Sequence, residues 1–251
     1  MPPIYPPIPL SAWLSLAWTG LSGKQRSFRQ DALRCTARLP LMVNGSQHIP
    51  QTGPALMVMN HYHRPGFQAY WFTLAISAVT PAEIHWTITS AWTDDGTPGA
   101  KFRATISPFL LPRLARVYAF TSMPPMPPRP HEITARAAAV RQLLGVAQQN
   151  PPPLLALAPE GRDHPAGELM PPPPGVGRLL AMLDGFGYPI VPIGVSEDQH
   201  RLILTFERPF HLTLPKDLNP TQRDEQAAEQ VMKEIAALLP AELQGAYAGT
   251  P

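Results

Sequence analysis

Short apolar runs alternate along this chain with segments of helical periodicity. Such alternation predicts a single α/β domain with a mostly parallel or mixed central sheet flanked by helices. Strands are predicted in residues 38–45, 53–60, 83–90, 115–122, 153–161, 188–195 and 200–210, and helices in residues 66–79, 133–150, 176–187 and 219–238.

The pattern divides the chain into three parts. Residues 1–36 form a proline arm followed by an amphipathic and basic helical segment, residues 37–240 form the α/β domain, and residues 241–251 form a tail. The 34 prolines of the chain cluster between elements, and stiff loops are the interpretation that such short clusters favour.

The N-terminal segment has two interpretations. Apolar residues between positions 10 and 21 fall at helical spacing with Trp13 and Trp18 on one face, and five basic residues follow between Lys24 and Arg38. This pattern is typical of an interfacial membrane anchor. It is equally typical of a helix whose apolar face packs on the domain core, so both interpretations stay open.

The bulk composition excludes several classes of protein. A formal net charge of +2 argues against a dedicated nucleic-acid binder, and one cysteine, Cys35, cannot form an intramolecular disulfide or a cysteine-based zinc site. No apolar run reaches the roughly 18 residues of a transmembrane helix. Because no positive charge precedes the first apolar segment, a signal peptide is not indicated. We therefore expect a cytoplasmic protein, peripheral on the inner face of the membrane.

A polar cluster, "NHYHR" at positions 60–64, follows the apolar run "ALMVM" directly and is followed by the turn residues Pro65-Gly66. Ligands and catalytic groups of α/β proteins gather where strands end. The cluster is therefore a candidate catalytic site, a candidate metal site with His61 and His63 as ligands, or a polar cap on a core strand.

Four segments occur in an order known from one family. They are "GPALMVMNH" (53–61), a strand ending near residue 121, "LAPEG" (157–161) and "YPIVPIGV" (188–195). Together they resemble the phospholipid and glycerol acyltransferase superfamily, which includes the lysophosphatidic acid acyltransferases, over roughly residues 38–240. Its motifs are N-H-x-x-x-x-D, an arginine-bearing strand end, P-E-G-T-R and V-P-V.

The chain departs from the family pattern at three places. Gly66 stands where the family has its aspartate, and no arginine occurs near Thr121. Arg162 and Asp163 stand where the family has Thr-Arg. The first, second and third motifs are therefore degenerate.

The resemblance implies roles for the residues that match. His61 would be the general base, and a carboxylate would orient its ring. With Gly66 lacking a side chain, we expect Asp163 or Glu160 to supply an oxygen within about 4 Å of a His61 ring nitrogen. Residues expected to bind substrate are Asn60, His63, Arg64, Gly161 and Arg162, with the two arginines as candidate phosphate ligands.

The function implied is transfer of a fatty acyl group from acyl-CoA or acyl carrier protein to a glycerolipid or related alcohol. An activity like that of a 1-acylglycerol-3-phosphate O-acyltransferase in phospholipid biosynthesis is implied, with a lysophospholipid as acceptor and no metal or other cofactor. Two alternatives remain: a non-catalytic lipid-binding member of the same fold, and a metal-dependent hydrolase that uses His61 and His63.

Overall fold

A seven-stranded sheet organises the part of the chain that the computed structural model describes, namely Tyr5, residues 24–92 and residues 100–249. The strands are β1 Leu41–Asn44, β2 Ala55–Met59, β3 Ile84–Thr89, β4 Thr121–Met123, β5 Leu154–Leu157, β6 Ile190–Glu197 and β7 Leu202–Phe206. The α-helices are α1 Phe28–Thr36, α2 Tyr70–Val79, α3 Ala100–Val117, α4 Ile133–Ala147, α5 Val176–Gly185 and α6 Pro220–Ala236. Short 3₁₀ turns occur at Ser46–His48, Pro130–Glu132, Ala241–Leu243 and Gly245–Tyr247.

The sheet is mixed, with the strand order β1-β7-β6-β2-β5-β3-β4. Strands β6, β2, β5, β3 and β4 run parallel to one another. Strand β7 is antiparallel to β6 and parallel to β1. The predicted α/β class with a mixed central sheet is thus confirmed.

Burial on both faces of the sheet explains the apolar sequence of the central strand β2. All five of its residues are buried, because helices cover both faces of the sheet. Met57 and Met59 pack in the core that includes residues of α1 and α2. Leu56 and Val58 pack in the opposite core, which includes residues of α4, α5 and α6.

Helix α1 packs on the domain core through one of its faces. Phe28 makes edge-on ring contacts with Tyr118 and Phe120 at centroid distances of 4.9 and 5.0 Å, and Ala32 is fully buried. The Nε of Arg29 donates to the carbonyl of Thr80 at 2.7 Å. Residues 28–36 thus form a helix that packs on the domain core. The predicted helix with Trp13 and Trp18, whose apolar face the two interpretations concern, lies outside the described residues, so both interpretations stay open.

The predicted strand at residues 115–122 is wrong over most of its length. Helix α3 continues to Val117, and the strand contains only Thr121–Met123. The helix includes Pro108 and Pro112, which lack the backbone N–H of an ordinary helical residue. For this reason the sequence does not predict a helix here. Ala119, with φ of 55°, reverses the chain between the two elements.

The other predicted elements are confirmed, with ends shifted by a few residues. Helix α2, for example, begins at Tyr70 rather than 66 because the chain first makes a turn at Pro65-Gly66. Within the described ranges, no helix combines the length and the apolar character needed to cross a membrane.

Candidate active site

The candidate site lies at one edge of the sheet, where the parallel strands β2, β5 and β6 end. Residues 60–64 follow β2, residues 158–163 follow β5, and Glu197 is the last residue of β6. Because these strands run parallel, their carboxyl ends meet at the same edge. The structure thus brings together the segments that the sequence singled out.

Asn60 extends the pairing of β2 with β6 by one step. Its Oδ1 accepts from the backbone N–H of Val195 at 2.7 Å, and its Nδ2 donates to the Val195 carbonyl at 2.9 Å. The residue is 2% exposed. Since both ends of the amide are engaged with backbone, we assign Asn60 to holding the strand ends together rather than to contacting substrate.

Glu160 holds the backbone of His61, not its ring. Its Oε1 accepts from the His61 backbone N–H at 2.6 Å, and its Oε2 accepts from the Met170 backbone N–H at 2.9 Å. Glu160 is 2% exposed. Burial raises the pKa of Glu160 to about 7, although the two backbone N–H groups oppose the shift.

This raised pKa predicts a pH-dependent stability. Between its ordinary pKa of 4.5 and about 7, the folded state keeps a proton that the unfolded state has lost. The free energy of unfolding therefore falls as pH rises through this window, by up to about 3 kcal/mol from this group. Urea denaturation at pH 5, 6, 7 and 8 should show a steeper fall for the wild type than for Glu160→Gln, which cannot ionise. Equal slopes would contradict the assignment.

Asp163 pairs with His63. Its Oδ2 lies 2.7 Å from Nδ1 of His63, with the side chains 48% and 30% exposed respectively. Within the described ranges, no ion pair within 4.0 Å joins the ring of His61 to a carboxylate. The expectation that Asp163 or Glu160 would orient the His61 ring is therefore wrong, because one acid contacts the neighbouring histidine and the other contacts backbone.

The ring of His61 is half-enclosed. Its Nδ1 is buried without a hydrogen-bond partner, and the ring meets Phe72 of α2 edge-on at a centroid distance of 5.9 Å. Burial lowers the pKa of His61, the charge of Asp163 and the contact of the ring with its own backbone oppose this shift, and His63 adds to it. The imidazole is therefore neutral near pH 7. Since the residue is partly exposed while Nδ1 is not, Nε2 is the nitrogen that a substrate can reach.

Arg64 is held by a partner that sequence reasoning missed. Its Nε and Nη2 bind the carboxylate of Glu197, the latter at 3.1 Å from Oε1. The hydroxyls of Tyr62 and Tyr5 donate to the same carboxylate, that of Tyr62 at 3.0 Å. The side chain of Glu197 is 4% exposed. Arg64 thus anchors the loop after β2, and its expected role as a phosphate ligand gains no support from this geometry.

The Pro65-Gly66 turn explains why no aspartate stands at position 66. The backbone N–H of Phe67 donates to the Arg64 carbonyl at 3.0 Å, and Gly66 has φ of 82°. Proline at the second and glycine at the third position are the residues of a type II turn. An added Cβ would meet only Nη1 of Arg64 at 3.7 Å, so conformation rather than space selects glycine.

The second and third motifs are also altered in structure. Thr121 is fully buried, and its hydroxyl lies 2.8 Å from Nε2 of His85. Burial lowers the pKa of His85 to about 4. After β5, Gly161 has φ of 67° in a tight turn, and Arg162 next to it is exposed. In the part of the chain that the structure describes, Arg162 makes no ion pair within 4.0 Å.

The metal-hydrolase alternative requires further ligands close to His61 and His63. Across Tyr5, residues 24–92 and residues 100–249, no group of three or more His, Cys, Asp and Glu side chains is placed to hold a metal ion.

Comparison with known proteins gives three findings. A family model described as Acyltransferase matches residues 40–196. The crystal structure of the 1-acyl-sn-glycerophosphate (LPA) acyltransferase PlsC from Thermotoga maritima is similar, with a TM-score of 0.50 and 13% sequence identity over 84% of this chain and 78% of that chain. None of the curated protein sequences matches. At this identity the structural similarity concerns the fold.

Proposed function

Because this chain belongs to the acyltransferase family, we propose that it transfers a fatty acyl group from a thioester, acyl-CoA or acyl carrier protein, to a hydroxyl of a glycerolipid or related alcohol. One observation carries the proposal: two imidazoles, those of His61 and His63, lie at the end of the central strand within the matched residues. Acyl transfer to an alcohol needs such a group beside the reacting atoms, since the hydroxyl must lose its proton as it attacks.

A lysophospholipid, such as a 1-acylglycerol-3-phosphate, is the acceptor that we propose. The phosphate would be bound by Arg162, because this guanidinium is exposed at the edge where the histidines lie. An arginine suits a phosphate through paired, charge-assisted hydrogen bonds. No bound metal is required for this step.

A non-catalytic lipid-binding role is the second candidate. The observation that favours it is the His61 ring, which lacks the orienting carboxylate of the family pattern. Losing the orienting acid costs about 10⁴ in rate in the serine-protease analogue. The two candidates differ in one measurable product, the free thiol of the donor.

The test follows thiol release from oleoyl-CoA by the purified full chain, with and without 1-oleoyl lysophosphatidic acid. Release that depends on the acceptor, and that the double variant His61→Ala/His63→Ala lacks, is expected. The matched control is His211→Ala, whose exposed histidine follows Phe210, the partner of Ile190 at the opposite end of β6. Binding of the lysophospholipid without thiol release would replace the transferase proposal with the lipid-binding one.

A peripheral membrane contact forms part of the proposed function, and α3 provides a surface for it. Phe102, Phe109 and Leu110 are 68%, 65% and 51% exposed. The spacing of seven residues puts the two phenylalanines on one side of the helix. The helix has four basic residues and no acidic one, namely Lys101, Arg103, Arg113 and Arg116. Exposed aromatic side chains with basic neighbours suit an anionic lipid surface.

Vesicle flotation tests this contact. The variant Phe102→Ser/Phe109→Ser should lose binding to vesicles rich in phosphatidylglycerol, and salt should weaken binding by the wild type. The matched control is Met182→Ser, which removes an apolar residue that is 40% exposed. Met182 lies on α5, and this helix packs against the opposite face of the sheet. Wild-type flotation by the α3 variant would contradict the role of this surface.

A further inference from the structure

His63, which the family pattern does not use, pairs with a carboxylate, whereas His61, which stands at the family's histidine position, does not. Nδ1 of His63 lies 2.7 Å from Oδ2 of Asp163, whereas Nδ1 of His61 is buried without a partner. A base whose second ring nitrogen meets an orienting group at this distance is the arrangement of nucleophile-activating and proton-transferring sites. The two histidines are separated by a single residue at the same strand end.

We propose that His63, paired with Asp163, is the proton acceptor of the acyl transfer, and that His61 donates a hydrogen bond from Nε2 to the substrate. This division rests on the proposed function, and it moves the role of base from the family position to a residue two positions later.

The buried Nδ1 of His61 is the first argument. For Nε2 to accept a proton, Nδ1 must already carry one, and the resulting imidazolium has two N–H groups and a positive charge. At His61 that buried N–H would meet the residue's own backbone but no acceptor in hydrogen-bond geometry. The positive charge would lie in an environment that disfavours it. The other tautomer, with the proton on Nε2, leaves a neutral donor facing the substrate.

The environment of His63 is the second argument. A carboxylate beside Nδ1 favours the tautomer with the proton on Nδ1 and leaves Nε2 unprotonated, and it stabilises the imidazolium that forms when Nε2 takes a proton. Both side chains are partly exposed, so an acceptor alcohol can approach them. In sites without substrate, contacts of this kind are often poorly aligned and tighten in the complex.

The reaction balances with these two residues. The acceptor hydroxyl gives its proton to Nε2 of His63 while its oxygen forms a bond to the thioester carbonyl carbon. The carbonyl oxygen gains negative charge and accepts the hydrogen bond from Nε2 of His61. As the C–S bond breaks, the departing sulfur takes the proton from Nε2 of His63. The products are an ester and a free thiol, and both histidines return to their starting states.

The tautomers test the proposal without any substrate. Long-range ¹H–¹⁵N spectra of the full chain labelled at histidine nitrogen should show a proton on Nδ1 of His63 and a proton on Nε2 of His61. In Asp163→Asn the signature of His63 should change, and that of His61 should persist. A wild-type His63 that carries its proton on Nε2 would overturn the proposal, whether or not the chain is active.

Kinetics provide the second test. His63→Ala should lose about 10²- to 10⁴-fold in kcat, and free imidazole should restore part of it, which it would not do for a purely structural residue. Asp163→Asn should lower kcat rather than raise KM, by up to about 10⁴-fold. The matched controls are His211→Ala and Asp217→Asn, both exposed. Thermal unfolding of each variant confirms that it is folded.

The outcomes separate the two proposals. A wild type that releases no thiol in the presence of acceptor contradicts the proposed function. An active wild type with unchanged His63→Ala and Asp163→Asn variants contradicts only the assignment of the base. Loss of kcat in His63→Ala with recovery by imidazole, together with the expected tautomers, supports it.

Discussion

Replacing His61 with alanine is expected to reduce acceptor-dependent acyl transfer by at least about 10²-fold, the usual loss when one donor to a developing oxyanion is removed. The fold should be retained, because Nδ1 of His61 has no partner that truncation would leave unpaired. Initial rates of thiol release and the free energy of unfolding in urea measure both effects on the same sample.

The matched control for this variant is His211→Ala, with an exposed histidine next to the start of β6, at the edge of the sheet opposite to the site. Near-wild-type turnover in a folded His61→Ala protein would remove His61 from the reaction. Loss of fold, instead of loss of turnover alone, would contradict the account of its ring as unpartnered.

The second large effect is expected at Glu197. In Glu197→Ala, the guanidinium of Arg64 loses its buried counter-charge, and the hydroxyls of Tyr62 and Tyr5 lose their acceptor. Removing one partner of a buried ion pair costs about 3–5 kcal/mol. Urea denaturation should show a loss of this size, because the side chain of Glu197 is 4% exposed and water cannot replace it freely.

The matched control is Glu207→Ala. Its side chain is 48% exposed and lies 3.9 Å from His48, so its removal should change the free energy of unfolding by less than about 1 kcal/mol. Replacing both partners, as Arg64→Met/Glu197→Leu, should recover part of the loss. A Glu197→Ala protein within about 1 kcal/mol of the wild type would show that this network does not hold the loop.

The sequence predicted the strands that form the centre of the sheet because their burial on two faces requires unbroken apolar runs, as in β2 and β6. The sequence did not predict the elements that lack such apolar runs. Helix α3 contains two prolines and exposes Phe102 and Phe109, so neither its composition nor its apolar period indicates a buried helix face. The strand β4 has only three residues, too few for a pattern.

The position of the site could also be predicted, since parallel strands end at one edge and the polar residues after β2 and β5 had to meet there. Their partners could not. Glu160 turns inward to two backbone N–H groups, and Asp163 meets His63, because loop geometry rather than strand register sets these contacts. Glu197 could have been found by the same reasoning. It lies at the end of β6, at the same edge of the sheet as Asn60 and His61, which follow the end of β2.

The stoichiometry of the reaction tests whether acyl transfer takes place at the end of β2. The purified chain is incubated with oleoyl-CoA and lysophosphatidic acid, and the free thiol and the new ester are quantified by mass spectrometry in the same sample. One ester for each thiol, formed only with the acceptor present and absent with His61→Ala/His63→Ala, is the predicted result. Thiol without ester, or neither product from a folded chain that binds the lipid, would contradict it.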